Sequence, residues 1–359
     1  MRKIILALAI PTASIMLAPA YAQNVYSEDG NSLDVLGRVE INAIKQSGSS
    51  GDMTGKARIG LEGTTKVNED VSLFGLAEWD LTGENSTQDE IQARYMYLGA
   101  DFGAGGKISF GHQYTAMYNS LVTTVDIFEQ WGMEAQDGLY GESRVDGLVV
   151  YSNNFGPFSI ETDYQFHDEH TYDAIGIDTD NTDADGNYLS SNYDQNNAFS
   201  GVGVLDTGVG LNLRLAYAHQ NYGDGGDINT YGAGADYTIN NFYLAFVYLG
   251  ARADNGKSSH SKTNTDSYNI AGSYTIDQFR LYGGYGEQHR SGSTLAESYT
   301  SVRTFVFGTE YNLTSNALVW LELRHNNGDT GYDYNGDAVD ALSYSSATDQ
   351  IDLSAQYNF

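Results

Sequence analysis

Apolar and polar residues alternate with a period of two along most of this chain, and few architectures accept that pattern over 359 residues. The alternation is clearest in residues 33–42, 209–217, 267–276 and 351–359. A period of two is typical of β-strands with one apolar and one polar face, and helical periodicity is missing. After the first 22 residues the only proline is Pro157, and proline is excluded from central strands because it cannot donate to the ladder. The pattern therefore predicts an all-β protein in which nearly every segment is paired on both sides.

About sixteen segments follow this pattern. They are predicted near residues 33–44, 55–66, 71–82, 91–102, 107–112, 143–151, 157–167, 199–206, 209–219, 229–239, 242–251, 266–276, 278–288, 301–313, 316–326 and 348–359. The segment at 242–251 (FYLAFVYLGA) is apolar on both parities, so the sequence does not assign its two faces.

The connections between these segments alternate in length. Short turns, such as those at residues 67–70, 207–208 and 240–241, take turns with long polar connections such as 168–198 and 327–348. Tight turns at one end and long loops at the other are the layout of an outer-membrane β-barrel, whose strands of about ten residues cross the lipid at a tilt. Aromatic residues also cluster at strand ends, as in the girdles of such barrels. A soluble β-sandwich is the alternative, but it would have fewer and shorter loops.

The first 22 residues are not expected to be part of the fold. Arg2 and Lys3 precede an apolar run, and the sequence A-Y-A stands directly before Gln23. Together these features are typical of a secretory signal peptide. The apolar run falls short of the ~20 residues that span a bilayer, which argues against a retained anchor. The sequence therefore predicts a signal peptide at 1–22 and one exported domain at 23–359.

Composition excludes several classes of function. The chain has no cysteine, so a disulfide scaffold is excluded. It has 18 basic and 47 acidic residues and a formal net charge of -29, whereas a nucleic-acid partner requires clustered lysine and arginine. Strong acidity can indicate disorder, but 28 tyrosines, 14 phenylalanines and 3 tryptophans are distributed through the strand-like segments. These residues indicate a folded chain.

One stretch, residues 111–154, interrupts the alternation. About thirty of its residues follow no strand period, although many are bulky and apolar. A connection of this length is either disordered or functional, and its apolar content favours a loop packed against an interior wall. The stretch also carries Asp126, Glu129, Glu134 and Asp137, and acids on a packed loop must face water or bases. A water-filled cavity would supply both.

Five sequence segments resemble the Gram-negative general diffusion porins of the OmpC and OmpF type, and the resemblance covers essentially all of residues 23–359. They are VLGRVEINAI, GDMTGKARIGLEG, QARYMYLGADFGAGGKISFGHQYTAMY, SRVDGLVVYSN and the final AQYNF. The resemblance implies sixteen antiparallel strands, a homotrimer, no cofactor, and a third loop folded into each lumen. It also implies contact with outer-membrane lipid and lipopolysaccharide, and insertion by the barrel-assembly machinery.

The resemblance further implies a basic ladder on the barrel wall that faces acids on the third loop. By position the ladder is Arg38, Arg58, Arg94 and Arg144. Parity agrees for two of them: Ile59 and Leu61 are assigned to the lipid face, so Arg58 points inward, and Val145 and Val149 are assigned outward, so Arg144 points inward. An arginine on the lipid face would cost about 2–4 kcal/mol at the midplane. The alternative is that these are ordinary lumen charges paired with Glu40, Glu62 and Glu78.

The loop acids that match the family are Asp126 and Glu129, with Tyr114 and Tyr118 as pore-lining aromatics. The chain reads FEQWG from residue 128 where the family has Pro-Glu-Phe-Gly-Gly, which leaves the register of Glu129 open. At the other end of the chain, Tyr357 and Phe359 match the terminal aromatics that the insertion machinery reads.

The predicted function is a trimeric outer-membrane porin through which small hydrophilic solutes and ions diffuse passively. A weak cation preference is expected because acids stand both at the constriction and on the loops around the mouth. A porin that prefers one solute, such as an oligosaccharide, is the alternative. An outer-membrane hydrolase is a more distant rival, because the seven histidines are scattered rather than placed beside a nucleophile. The acidic loop at residues 178–188 superficially resembles a calcium loop but lacks the glutamate at its twelfth position.

Overall fold

The computed structural model describes residues 22–82, 91–141, 144–166, 195–222, 225–254, 262–293, 295, 297–329 and 348–359. Its strands run in chain order as β1 (Gln23–Glu28), β2 (Asn31–Gln46), β3 (Asp52–Lys66), β4 (Ser72–Thr82), β5 (Ile91–Asp101), β6 (Lys107–Tyr114), β7 (Arg144–Phe155), β8 (Phe158–Gln165), β9 (Gln195–Asp206), β10 (Leu211–Tyr222), β11 (Asp227–Ile239), β12 (Phe242–Asp254), β13 (Lys262–Ile276), β14 (Phe279–Gly292), β15 (Tyr299–Asn312), β16 (Ala317–Asn327) and β17 (Thr348–Asn358). One short helix, α1 (Ala116–Ser120), follows β6. Each strand from β2 to β17 pairs antiparallel with the next, and β17 pairs with β2, so the sheet closes on itself. The predicted all-β closed barrel is confirmed.

Strand β1 was not predicted from the sequence. It forms a hairpin with the first residues of β2 through Asp29 and Gly30, which both have positive φ (51° and 79°), as tight two-residue turns require. β1 pairs with β2 from Asn31 to Val35, and β17 pairs with the remainder of β2. Because β1 and β17 share one edge of β2, the described strands make sixteen positions around the barrel.

The outer surface is apolar along most strands. On β12, Phe242, Leu244 and Phe246 are exposed on the outside, whereas Ala245 and Val247 point inward and are buried. This arrangement resolves the segment whose faces the sequence left unassigned. Both parities are apolar because the inner face is covered by chain from the interior rather than by water.

That interior chain is the inner loop, defined here as residues 115–143 between β6 and β7, of which 115–141 are described. Its apolar side chains Met117, Leu121, Val122 and Val125 are almost completely buried. They form one cluster with small and branched residues on the inner faces of β9 to β13: Ala198, Val202, Ala218, Ala245, Val247, Leu249, Ala251, Ala253 and Ala271. The expectation that this loop packs against an interior wall is confirmed.

The parity assignment on β7 was wrong for Val145, whereas Val149, on the opposite parity to the buried Leu148 and Val150, keeps its outward assignment. Val145 is buried beside Leu148 and Val150 and pairs with the buried Gln113, so it faces inward. Asp146 is largely exposed, and its Oδ1 accepts a hydrogen bond from His112 Nδ1 at 2.8 Å. The cause is an irregularity between Gly111 and Gln113, opposite which β7 has one extra residue and Gly147 has a φ of 63°. Such a bulge reverses the facing of the residues on one side of it.

Several predictions concern parts of the chain outside the described residues. These are the signal peptide up to residue 21 and the acidic loop at 178–188. Among the residues that the structure does describe, no helix is long and apolar enough to cross a membrane.

Candidate functional site at the inner loop

Three arginines of the basic ladder lie on the inner faces of β2, β3 and β5 and are ion-paired there. Arg38 on β2 bonds Glu40 two residues along. Arg58 on β3, the register partner of Arg38, donates from Nε to Asp80 Oδ1 at 2.8 Å. Arg94 on β5 donates to both Glu78 and Asp80 at 2.8 Å. The sequence predicted the arginines and named Glu40 and Glu78 as alternative partners, but it did not anticipate Asp80.

Arg94 reaches the interior through an irregularity in the sheet. Glu78 pairs with Tyr95 and Trp79 pairs with Ala93, which leaves Arg94 as an extra residue between them. Strict alternation would place Arg94 and Tyr95 on opposite faces, but the bulge lets both side chains face inward.

Arg144, the fourth arginine, is held by aromatic rings. Its guanidinium carbon lies 4.2 Å from the ring centre of Tyr114 and 4.8 Å from that of Tyr95, within the range of cation–π attraction. Tyr114 in turn stacks on Tyr118, with ring centres 3.6 Å apart and planes 15° apart. The Tyr118 hydroxyl donates to Asp126 at 2.5 Å. Burial raises the pKa of Asp126, while the Tyr118 hydrogen bond and the Arg144 charge oppose that rise. One connected group therefore runs from the wall to the loop; it consists of Arg144, Tyr114, Tyr118 and Asp126.

Glu129 lies on the inner loop but does not face the basic ladder. Its carboxylate is 3.1 Å from Arg280 Nη1 on β14, and Arg280 also bonds Glu310 at 2.8 Å. Burial, reinforced by the Glu310 charge, raises the pKa of Glu129 to about 7, and the Arg280 charge opposes that rise. Of the two loop acids, only Asp126 is linked to the ladder, and the link runs through Tyr118 and Tyr114 to Arg144.

The tip of the inner loop is anchored by a buried acid. Glu322 on β16 accepts hydrogen bonds from the backbone N–H groups of Glu129, Gln130 and Trp131 at 2.8–3.2 Å. It also accepts one from the Tyr282 hydroxyl at 2.8 Å. A carboxylate that satisfies three consecutive backbone donors fixes the course of the chain there.

Basic residues outside the predicted ladder also hold the loop. Arg214 on β10 donates to the carbonyl of Ser120 at 2.8 Å, and Arg324 on β16 bonds Glu134 and lies 5.0 Å from the Trp131 ring. Lys56 on β3 lies 3.5 Å from the Gln130 side-chain oxygen, so the tip also approaches the strand that carries Arg58. A signal for them existed in the sequence, because each lies on the polar parity of an alternating strand. The family resemblance pointed only to Arg38, Arg58, Arg94 and Arg144, so Lys56, Arg214 and Arg324 were missed.

The described side chains suit passage or binding of polar solutes better than catalysis. Bases on β2, β3, β5 and β7 stand on one side, and an acid-bearing loop stands on the other. No group of three or more His, Asp or Glu side chains within the described ranges is arranged to hold a metal ion.

Comparison with known proteins gives consistent matches. A family model for Gram-negative porins matches residues 7–331. Outer membrane protein U of Vibrio parahaemolyticus is 27% identical over 320 residues, covering 86% of each chain. Among solved structures, OmpF of Salmonella typhi in complex with daunomycin superposes with a TM-score of 0.73 at 20% identity, over 94% of this chain and 100% of that one. The trimer form of in-vitro folded OmpT from Vibrio cholerae gives 0.69 at 19% identity, over 92% and 100%.

Proposed function

Because this chain belongs to the family of Gram-negative porins and is located in the outer membrane, we propose that it forms a trimeric channel for passive diffusion of small hydrophilic solutes and ions. The observation that carries the proposal is the course of the inner loop. It is anchored from β9 to β16 on one part of the wall, while the basic ladder lies on β2 to β7. The space between them is the proposed passage. A sixteen-stranded barrel is wide enough to leave such a lumen, whereas eight strands would fill with side chains.

Polar groups support an aqueous passage. The inner faces of β2 to β5 carry ion pairs, and the side chains of Arg38, Arg58, Asp80 and Arg94 remain partly exposed. Water that reaches these groups spares them the large cost of full desolvation. The family to which the chain belongs is one of porins, and no catalytic role is proposed for the site.

Weak cation preference is the proposed selectivity. Arg38, Arg58 and Arg94 are each offset by a carboxylate, so the ladder exerts less field on a passing ion than four free arginines would. The chain as a whole has a net charge of -29. At 0.1 M salt the screening length is ~10 Å, so distant acids act on the passage mainly at lower salt. The preference should therefore grow as salt is diluted.

The loop acids give a direct test of that selectivity. We expect the double variant Asp126→Asn with Glu129→Gln to shift the reversal potential, measured in a salt gradient, toward the value of an anion-selective channel. If the double variant keeps the reversal potential of the unmodified protein, Asp126 and Glu129 do not line the passage.

A trimer is proposed because the chain shares its fold with a porin whose solved structure is a trimer form. Purified protein in a planar bilayer should open and close in groups of three equal conductance steps. Sugars of increasing size, added on one side, separate general diffusion from a solute-preferring channel: graded exclusion by size supports diffusion, and tight block by one sugar supports preference. Folded trimers that turn over a substrate without conducting would support the enzyme instead.

A further inference from the structure

Four glycines on the inner wall lie directly under the inner loop. Gly232 and Gly234 are two residues apart on β11, and Gly284 and Gly286 are two residues apart on β14, so each pair shares the inner face of its strand. None of the four has a φ in the left-handed region. A glycine inside a strand weakens it and often marks a close approach by other chain. Space, rather than backbone conformation, is therefore the reason for glycine at these positions.

The first pair forms a socket for Leu121. A Cβ atom at Gly234 would lie 2.6 Å from Leu121 Cδ1, and a Cβ at Gly232 would collide with Leu121 Cδ2. Leu121 is completely buried there. At Gly234 the next atoms, Phe246 O and Val247 Cγ2, would be 3.2 and 3.4 Å away, so Leu121 is the one severe obstacle to a larger residue.

The second pair lies under the far end of the loop. A Cβ at Gly284 would lie 2.5 Å from Phe128 Cζ on the loop and 2.7 Å from the Ile270 carbonyl oxygen on the wall. A Cβ at Gly286 would lie 2.9 Å from Ala135 Cβ on the loop and 2.8 Å from Asn269 Oδ1 on the wall. The opposite side of the Phe128 ring is covered by Gly132, whose φ of 105° also requires glycine. Phe128 is thus clamped between the wall and the loop itself. The segment between the two sockets, residues 122–127, carries Asp126.

We propose that the glycine pairs Gly232/Gly234 and Gly284/Gly286 set how closely the inner loop lies against the wall, and so determine the width of the passage. The inference rests on the proposed channel function. Carbon atoms pack at ~3.5–4.0 Å, so a methyl group at Gly234 must push Leu121 away by roughly 1 Å. The wall behind Leu121 is a closed, hydrogen-bonded sheet, so the loop moves into the passage rather than the wall moving outward. These glycines are positioning residues: they need not touch a solute to select it by size.

The test is a double-mutant cycle on Gly234 and Leu121. Gly234→Ala should lower the single-channel conductance and slow liposome swelling for larger sugars more than for smaller ones. In the Leu121→Ala background the obstacle is absent, so Gly234→Ala should no longer change either quantity. This non-additivity is the signature of direct coupling, and a general loss of stability would not produce it. Leu121→Phe places a larger loop side chain against Gly232 and Gly234 and should narrow the channel in the same way. This variant provides the test if Gly234→Ala does not assemble.

Gly203→Ala is the matched control. Gly203 lies on β9 with no atom within 4 Å of an added Cβ, and this variant should keep the conductance and the sugar profile. The inference is overturned if Gly234→Ala and Leu121→Phe trimers both conduct and exclude sugars as the unmodified protein does. It is also overturned if Gly234→Ala lowers conductance equally with and without Leu121. Failure of the proposed function itself would look different, because the unmodified trimer would then not conduct.

Discussion

At the scale of single residues, the local pairing of each charge matters more than the number of charges. Arg38, Arg58 and Arg94 are each bound to a carboxylate, whereas Arg144 is held by two tyrosine rings and lies near Asp126 through the Tyr118 contact. Arginine can bind both carboxylates and aromatic faces because its guanidinium group is planar and weakly hydrated. The ladder therefore combines three arginines that are neutralised by wall carboxylates with one, Arg144, that is linked to an acid of the inner loop.

Cation preference should depend on pH through the charge of Glu129. With a pKa of about 7, Glu129 is protonated and neutral below that pH and negatively charged above it. Cation preference should therefore rise as pH increases from 6 to 8, as measured by reversal potential in a potassium chloride gradient. In Glu129→Gln the response should flatten, whereas Glu69→Gln, at an exposed acid in the turn between β3 and β4, should leave it intact. An undiminished response in Glu129→Gln would assign the titration to another group.

At the scale of elements, the inner loop is stable because it replaces the solvent on one part of the inner wall. Its buried leucine and valines cover the alanine-rich faces of β9 to β13, and Glu322 and Arg214 bind its backbone. Removing apolar surface from water stabilises such contacts by ~25 cal/mol per Å². The inner loop is therefore fixed to the barrel wall by packing and hydrogen bonds along its length.

Removal of the Glu322 anchor should loosen the loop tip. Glu322→Ala leaves the N–H groups of residues 129–131 and the Tyr282 hydroxyl without their acceptor, and each unsatisfied buried group costs about 1–3 kcal/mol. We expect more frequent brief closures in single-channel recordings and faster proteolysis within the loop. Glu62→Ala removes an inner-face acid opposite Asp34 and serves as the control. Equal noise in the two variants would contradict the anchoring role of Glu322.

The strands could be predicted from the sequence because their alternation reports which side faces lipid, but three features could not. β1 is short and polar, so only the turn at Asp29 and Gly30 marks it. The bulges near Arg94 and Val145 reverse facing without changing composition. The faces of β12 depend on the loop that covers it, and Leu121 is distant from β12 along the chain. Ladder positions were predictable through family resemblance, whereas the partners Asp80, Arg280 and Glu322 depend on packing between strands.

At the scale of the whole molecule, the two ends of the chain complete the barrel. Phe359 exchanges both backbone hydrogen bonds with Gly37 on β2, at 2.8 and 2.9 Å, and its ring covers the bare outer side of that glycine. Tyr357 is also exposed on the outside. The last residue thus belongs to the closing seam as well as to the outer aromatic surface.

Deleting Phe359 should lower the amount of folded trimer in the outer membrane, because the seam loses two backbone hydrogen bonds and the ring that covers Gly37. Heat-sensitive trimer bands on a gel measure this amount. Phe305→Ala removes an exposed outer aromatic from the middle of β15 and should have a smaller effect. Equal trimer yields for the deletion and the unmodified chain would count against an assembly role for the C-terminal residue.

If solutes pass between the inner loop and the basic ladder, a bulky group attached at Asp126 must obstruct them. The absence of cysteine from the chain allows this to be measured directly. A cysteine introduced at Asp126 can be modified by a positively charged, water-soluble thiol reagent while single trimers conduct in a planar bilayer. We expect Asp126→Cys channels to lose conductance in three equal steps, whereas Phe307→Cys channels, modified on the outer surface, should be unaffected. Channels that conduct unchanged after complete modification at residue 126 would show that ions do not pass between the inner loop and the basic ladder at this point.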